Sequence, residues 1–240
     1  MKLIAENLQK KYSGKVAVDE VSIEVSSGET VGLLGPNGAG KTTFFYMIVG
    51  LLGVDSGKIL IDSEEITNKG ISSRSKFGLS YLPQEPSIFR RLSVKDNILA
   101  ALEQRADLNR IERSTALKDL LNQFNLNEFS ETIGIKLSGG ERRRAEIARA
   151  LASNPKFLLL DEPFAGIDPI AVSELKKTIK SLNDSGFGIL ISDHNVRDTM
   201  QICHKVLIMS EGKIVAQGSP EEVSNNEKVK EVYLGKDFSV

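Results

Sequence analysis

Two short runs in this 240-residue sequence carry residue types suited to phosphate chemistry. The first, Gly35-Pro36-Asn37-Gly38-Ala39-Gly40-Lys41-Thr42, matches the phosphate-binding loop G-x-x-x-x-G-K-S/T. Glycines let successive backbone N–H groups converge on an anion without Cβ clashes. A helix that follows such a loop presents the positive end of its dipole to the same phosphates. Lys41 supplies a point charge for the β- and γ-phosphates, and the Thr42 hydroxyl is placed to hold Mg²⁺. The second run is Phe157-Leu158-Leu159-Leu160-Asp161-Glu162. It ends an apolar strand on two carboxylates, from where an acid can reach a Mg²⁺ on an adjacent strand's phosphate loop. Asp161 is the candidate for the metal, directly or through water. Glu162 is the candidate to orient and deprotonate the attacking water. An apolar strand ending in Asp-Glu is common by itself; its meaning comes from the phosphate loop upstream.

Two further polar residues fit the same chemistry. His194 lies just past the apolar run 187–192, where it can contact a γ-phosphate or stand as a plain surface group. Gln84, in Tyr81-Leu82-Pro83-Gln84-Glu85, can touch Mg²⁺ or water, or cap a turn. A third run, Leu137-Ser138-Gly139-Gly140-Glu141, reads first as a capping box, with Ser138 as N-cap and Glu141 at N3 of a helix over 141–152. That leaves the paired glycines unexplained. They strip side chains from a helix N-terminus and make it a second anion site. One nucleotide has no easy use for two such sites in one small domain.

These residues need a scaffold of strands and helices. Residues 30–34, 157–160 and 187–192 are apolar runs of the buried, parallel-sheet kind. Residues 41–52 read as the helix after the phosphate loop. Alternation marks strands at 21–25 and 58–62, and 205–209 with 213–216 flank Glu211-Gly212 as a hairpin. From 93 to 126 the apolar residues recur at helical spacing, which predicts a helical insertion in an α/β core. Phe89, in the segment 87–92 that opens this insertion, either packs into its core or lines a groove for a partner's short helix.

Composition sets outer limits. A net charge of −1 speaks against a general nucleic-acid binder. The sole cysteine, Cys203, excludes an internal disulfide and reads as a small core residue. The start lacks the apolar core of a signal peptide. The longest apolar run, 44–54, contains Gly50 and Gly53 and falls short of the roughly 20 residues of a spanning helix.

Taken together, the motifs resemble the ATPase subunits of ABC transporters, over essentially the whole chain. In that family the Leu-Ser-Gly-Gly signature of one subunit closes over ATP held by the phosphate loop of the other, in a head-to-tail dimer. The resemblance extends to the Q-loop (Gln84), the Walker B pair (Asp161, Glu162), the D-loop (Ala165-Gly166-Ile167-Asp168) and the switch histidine (His194). Tyr12 matches the aromatic residue that stacks on adenine; alone it would read as surface packing. Glu141 departs from the Gln found in many members. The cofactors implied are ATP and Mg²⁺. The nucleotide set implied is Tyr12, Gly35, Pro36, Asn37, Gly38, Ala39, Gly40, Lys41, Thr42, Thr43, Gln84, Ser138, Gly139, Gly140 and Glu141. The metal set is Thr42, Gln84 and Asp161, and the catalytic pair is Glu162 and His194.

The fold this implies is α/β: a P-loop NTPase (RecA-like) core with an antiparallel β subdomain and an inserted α-helical subdomain. One ABC ATPase domain would span 1–240, with the helical subdomain at about 86–150. Residues 32–43, 81–85, 87–94, 137–144, 161–170, 193–197 and 232–235 look most like the ATPases of lipopolysaccharide exporters of Gram-negative bacteria. The partners implied are a second copy of the chain and two integral membrane subunits like LptF and LptG, with no nucleic acid and no direct lipid contact. The place implied is the cytoplasmic face of the inner membrane. The ATPases of branched-chain amino-acid importers have similar sequences. Soluble ABC ATPases usually carry two cassettes or long coiled-coil insertions, which this chain lacks. A P-loop kinase or GTPase has no need of Leu137–Glu141.

Overall fold

The computed structural model describes residues 1–234, so the run 232–235 extends one residue beyond the described part. The chain opens with a long antiparallel hairpin, β1 (Lys2–Tyr12) and β2 (Lys15–Ser26). Its turn, Ser13-Gly14, has positive φ at both residues, which matches the twist of the flanking strands. β3 (Thr30–Leu34) follows, buried at every position, and leads through the glycine-rich loop into α1 (Lys41–Val49). β4 (Ser56–Ile61) and β5 (Glu64–Glu65) complete a four-stranded antiparallel sheet in the order β2-β1-β4-β5. α2 (Ile71–Lys76) and β6 (Leu79–Leu82) precede three helices, α3 (Val94–Leu102), α4 (Arg110–Gln123) and α5 (Gly139–Ala152). The chain then alternates: β7 (Phe157–Asp161), α6 (Pro169–Asp184), β8 (Gly188–Ser192), α7 (Val196–Met200) and β9 (Lys205–Ser210). β10 (Lys213–Gly218) and α8 (Pro220–Asn225) follow.

The second sheet has six strands in the order β10-β9-β3-β8-β7-β6, parallel except for β10. β8 therefore lies between β3 and β7. The expectation that the acidic strand is adjacent to the phosphate-loop strand is corrected. β3, β7 and β8 are each five residues long and buried throughout. Patterning cannot order strands so alike, because each is equally content between two covered faces.

One apolar core fills the space between the antiparallel sheet, α1 and one face of the six-stranded sheet. A second core lies on the opposite face, under α3, α5 and α6. Cys203 packs beside a third, smaller cluster of Leu34, Met200, Val206 and Val223. Among the described residues no helix is long and apolar enough to cross a membrane.

The helix expected over 41–52 ends earlier, at Val49. Gly50 adopts φ 85° and caps it, and a Cβ there would meet the Arg74 side chain and the Lys69 carbonyl at 2.9 Å. Arg74 is 1% exposed. Its guanidinium donates to the carbonyls of Met47, Ile48, Thr67 and Lys69. A cation at a helix C-terminus suits the helix dipole. Burial brings its pKa down to about 10, so it stays charged at neutral pH. Arg74→Met would leave four carbonyls without this donor, at about 1–3 kcal/mol for each one that finds no other. The expected result is a melting temperature lower by roughly 10 °C, at about 2–4 °C per kcal/mol for a chain of this size. Wild-type melting would show that α1 does not depend on this clamp.

Candidate functional site

The loop after β3 is shaped by two glycines. Gly35 has φ 152° and Gly40 φ 106°. A Cβ on Gly35 would come within 2.1 Å of the Met209 carbonyl, and one on Gly40 within 2.3 Å of the Ala17 carbonyl. Among the described residues α3, α4, α5 and α6 begin with a side chain capping the first turn, from Ser93, Asn109, Ser138 and Asp168. α1 begins at Gly40 with no side-chain cap and no acidic residue in its first turn. Its N-terminal donors are left for an anion.

Lys41 folds back over the loop, its Nζ donating to the carbonyls of Gly35 at 2.7 Å and Pro36 at 3.0 Å. Burial lowers its pKa, opposed by the carboxylates of Glu162, Asp161 and Asp193. The adjoining cleft, about 650 Å³, is lined by Tyr12, Asn37, Gly38, Ala39, Gly40, Lys41, Thr42, Thr43 and Glu162. Lys15, Val16, Ala17, Glu211 and Gly212, which sequence reasoning missed, line it too. They belong to β2 and the β9–β10 turn and carry no phosphate-binding signature. Tyr12 ends β1 and is 45% exposed, with a ring on which an aromatic base can lie.

β7 delivers the carboxylates. Glu162 leaves the strand in the left-handed region, φ 44°, and its N–H donates to the Ser192 carbonyl at 2.6 Å. A non-glycine residue in that conformation is held there by its surroundings. Its Oε2 accepts from Gln84 Nε2 at 2.7 Å and lies 3.2 Å from His194 Nδ1. Three residues from distant parts of the chain thus meet at one carboxylate oxygen. Asp161 is 4% exposed and does not itself line the cleft. Burial raises its pKa, and hydrogen bonds from Tyr81 and Ser192 counter the rise. The Thr42 hydroxyl, the Asp161 carboxylate and the Gln84 amide oxygen are hard oxygen donors of the kind Mg²⁺ prefers. The Gln84 nitrogen is already used on Glu162, so its oxygen is the atom left for a cation.

Two buried charged residues brace the site and were missed. Asp193 accepts from the N–H groups of Phe164 at 3.1 Å and Asn195 at 2.7 Å, tying the loop after Glu162 to the loop of His194. Arg143, on the buried face of α5, donates to the Pro83 carbonyl at 3.0 Å and the Asp161 carbonyl at 3.4 Å. In sequence it lies among Arg142, Arg144 and Glu146 and looks like any solvated helix face.

Ser138, Gly139, Gly140 and Glu141 do not line the cleft. Ser138 caps α5, with its N–H donating to Glu141 at 2.9 Å and its Oγ accepting from the Glu141 N–H at 3.3 Å. A Cβ on Gly140 would stand 2.9 Å from the Ala171 Cβ, so that glycine is required by packing against α6. Gly139 has no such constraint: its nearest neighbour would be the Gly166 carbonyl at 3.5 Å. Ser138 is exposed, and Gly139 borders a small cleft with Gln84, Ala165 and Ile167.

A phosphate-loop motif, a carboxylate that meets Gln84 and His194, and a separate capped glycine turn on one α/β core are the parts of a nucleotide-driven ATPase. The family model for ABC transporters matches residues 18–165, and the chain belongs to that family, as an ATPase subunit. It is 55% identical to the lipopolysaccharide export system ATP-binding protein LptB of Haemophilus influenzae, over 99% of both chains. The Escherichia coli K12 protein of that name is 54% identical over 98% of both chains. A model for branched-chain amino acid ATP-binding cassette transporters matches residues 213–239. Among solved structures, the ADP conformation of MJ1267, an ATP-binding cassette of an ABC transporter, superposes with a TM-score of 0.87 at 28% identity, covering 98% of this chain and all of that one. The P-loop NTPase core is thereby established.

Proposed function

We propose that this chain binds and hydrolyses ATP with Mg²⁺, as a homodimer at the cytoplasmic face of the inner membrane, and powers lipopolysaccharide export through two membrane subunits like LptF and LptG. The meeting of Gln84 and His194 on Glu162, at the edge of the phosphate cleft, carries the enzymatic part. The substrate rests on the near-full-length likeness to the export proteins. One ABC ATPase domain spans 1–240, with a helical subdomain at about 86–150.

In this reading the N–H groups of residues 38–42 and the Lys41 ammonium take the phosphates, and Tyr12 carries the adenine. Thr42, Gln84 and Asp161 would hold Mg²⁺, which would supply neutralising charge at the phosphates. Glu162 draws the proton from the attacking water, and His194 steadies the γ-phosphate. The second copy presents Ser138, Gly139, Gly140 and Glu141 to the same phosphate from the opposite side. Hydrolysis weakens those bridging contacts and the dimer reopens.

The match over 213–239 favours a second reading, the ATPase of a branched-chain amino-acid importer. It covers only the end of the chain, whereas the export proteins align throughout. The membrane partner decides between them. Phe89 is 53% exposed, and Ile88 takes the buried position beside it at 5%. The Arg149 guanidinium lies over the Phe89 ring at 4.9 Å. Both line a cleft of about 570 Å³ with Ala100, Ala101 and Gln104 of α3 and its end, a groove suited to a short partner helix. Phe89→Ala is expected to leave the free chain folded and ATP-competent, yet to lose co-purification with LptF- and LptG-like subunits. Wild-type co-purification would remove Phe89 from the docking contact. Capture of importer subunits in their place would favour the second reading.

A further inference from the structure

Tyr81 does more than fill space between β6 and α1. It pairs with Leu159 of β7 in parallel register, two residues before Asp161. Alternate residues of a strand share a face, so a long side chain on β6 leaning toward the strand's C-terminal end reaches the Asp161 carboxylate. Tyr81 Oη lies 3.2 Å from Asp161 Oδ2 and donates to it. Ser192 of β8 stands opposite Asp161 in the other neighbouring strand. The Tyr81 ring is itself fixed. It meets the Tyr46 ring of α1 edge-on, with centroids 6.3 Å apart and planes at 86°.

We propose that Tyr81 is a positioning residue for the metal: its phenol O–H fixes the rotamer from which Asp161 takes Mg²⁺ on the bound nucleotide. The proposal rests on the reading of Asp161 as a metal carboxylate. A carboxylate on a strand end can rotate about χ1 and χ2. The Tyr81 hydroxyl, held on Oδ2, restricts that rotation and leaves Oδ1 for a cation. Partners of this kind, bonded to a metal ligand and not to the metal, typically govern metal affinity by about 10–100-fold. Tyr81→Phe removes only the hydroxyl and keeps the ring against Tyr46.

The test is a titration of Mn²⁺, followed by its electron paramagnetic resonance signal, into the full chain with a non-hydrolysable ATP analogue. Tyr81→Phe is expected to bind Mn²⁺ about 10-fold more weakly. Its metal-free affinity for the analogue and its melting temperature should stay at wild-type values. Turnover should fall at low Mg²⁺ and recover in excess Mg²⁺, with the KM for ATP unchanged at saturating metal. Mn²⁺ binding equal to wild type would overturn the proposal. A fall in melting temperature together with loss of metal-free binding would assign Tyr81 to packing and overturn it too. If the wild-type chain takes up the analogue but no Mn²⁺, the reading of Asp161 fails, and the role of Tyr81 with it.

Discussion

Glu162→Gln is expected to cut ATP turnover by roughly 10²–10⁴-fold, the range for losing a positioned general base, while ATP still binds. The variant changes little else. Glutamine matches glutamate in size, so the left-handed backbone at this position is kept. Its amide oxygen can still accept from Gln84, which now donates at 2.7 Å. The phosphate-loop residues 35–43, Lys41 among them, are unchanged. What disappears is the basicity that takes a proton from water. Binding contacts that survive without turnover hold the substrate state, so the variant should accumulate as an ATP-bound dimer. Steady-state hydrolysis and size-exclusion chromatography with ATP·Mg²⁺ check both halves. Near-normal hydrolysis would remove Glu162 from its role. Lost turnover with a monomer would keep the base and set aside the shared site.

Much of this site is legible in the sequence because its chemistry is local in the chain. The phosphate loop is a contiguous run whose glycines answer to two close backbone approaches, at Met209 and Ala17. The capping box of Ser138 and Glu141 forms as their three-residue spacing requires. The strands β3, β7 and β8 are apolar enough to be found. Their order is not, since nothing in three equally buried runs says which lies in the middle.

The rest depends on burial. Arg74, Arg143 and Asp193 are charged residues that sequence reasoning assigns to the surface by default, yet each is at most 7% exposed. Each is buried because it satisfies backbone groups of two segments at once, a relation between remote parts of the chain. Tyr81 shows the same limit: its hydroxyl meets a carboxylate 80 positions away. Gly140 shows how a motif glycine can have two reasons. The phosphate explanation reads both glycines alike, whereas packing on Ala171 singles out Gly140.

That difference makes the signature turn testable in a mixed dimer. Ser138→Ala with Gly139→Asp should leave ATP binding by the single chain intact and prevent the closed dimer. Gly139 is the position to change, because a Cβ there meets no atom nearer than 3.5 Å, whereas one on Gly140 strikes α6. Losing the Ser138 cap costs about 1 kcal/mol, and an aspartate in the first turn partly offsets it by favouring the helix dipole. Folding should therefore survive. In the shared-site arrangement the new carboxylate would stand where the other subunit's γ-phosphate arrives, and would repel it. Lys41→Ala fails differently: it weakens ATP binding in its own cleft and leaves its own signature whole. Each variant alone should be close to inactive. A dimer of one Lys41→Ala chain and one signature chain places both defects at one composite site. The other site then combines an intact phosphate loop with an intact signature. Mixing the two inactive proteins is expected to restore turnover at that single site, measurable as hydrolysis by the affinity-purified mixed dimer. If each site were built within one chain, both would stay broken, and a mixture as inactive as its parts would sink the shared-site model.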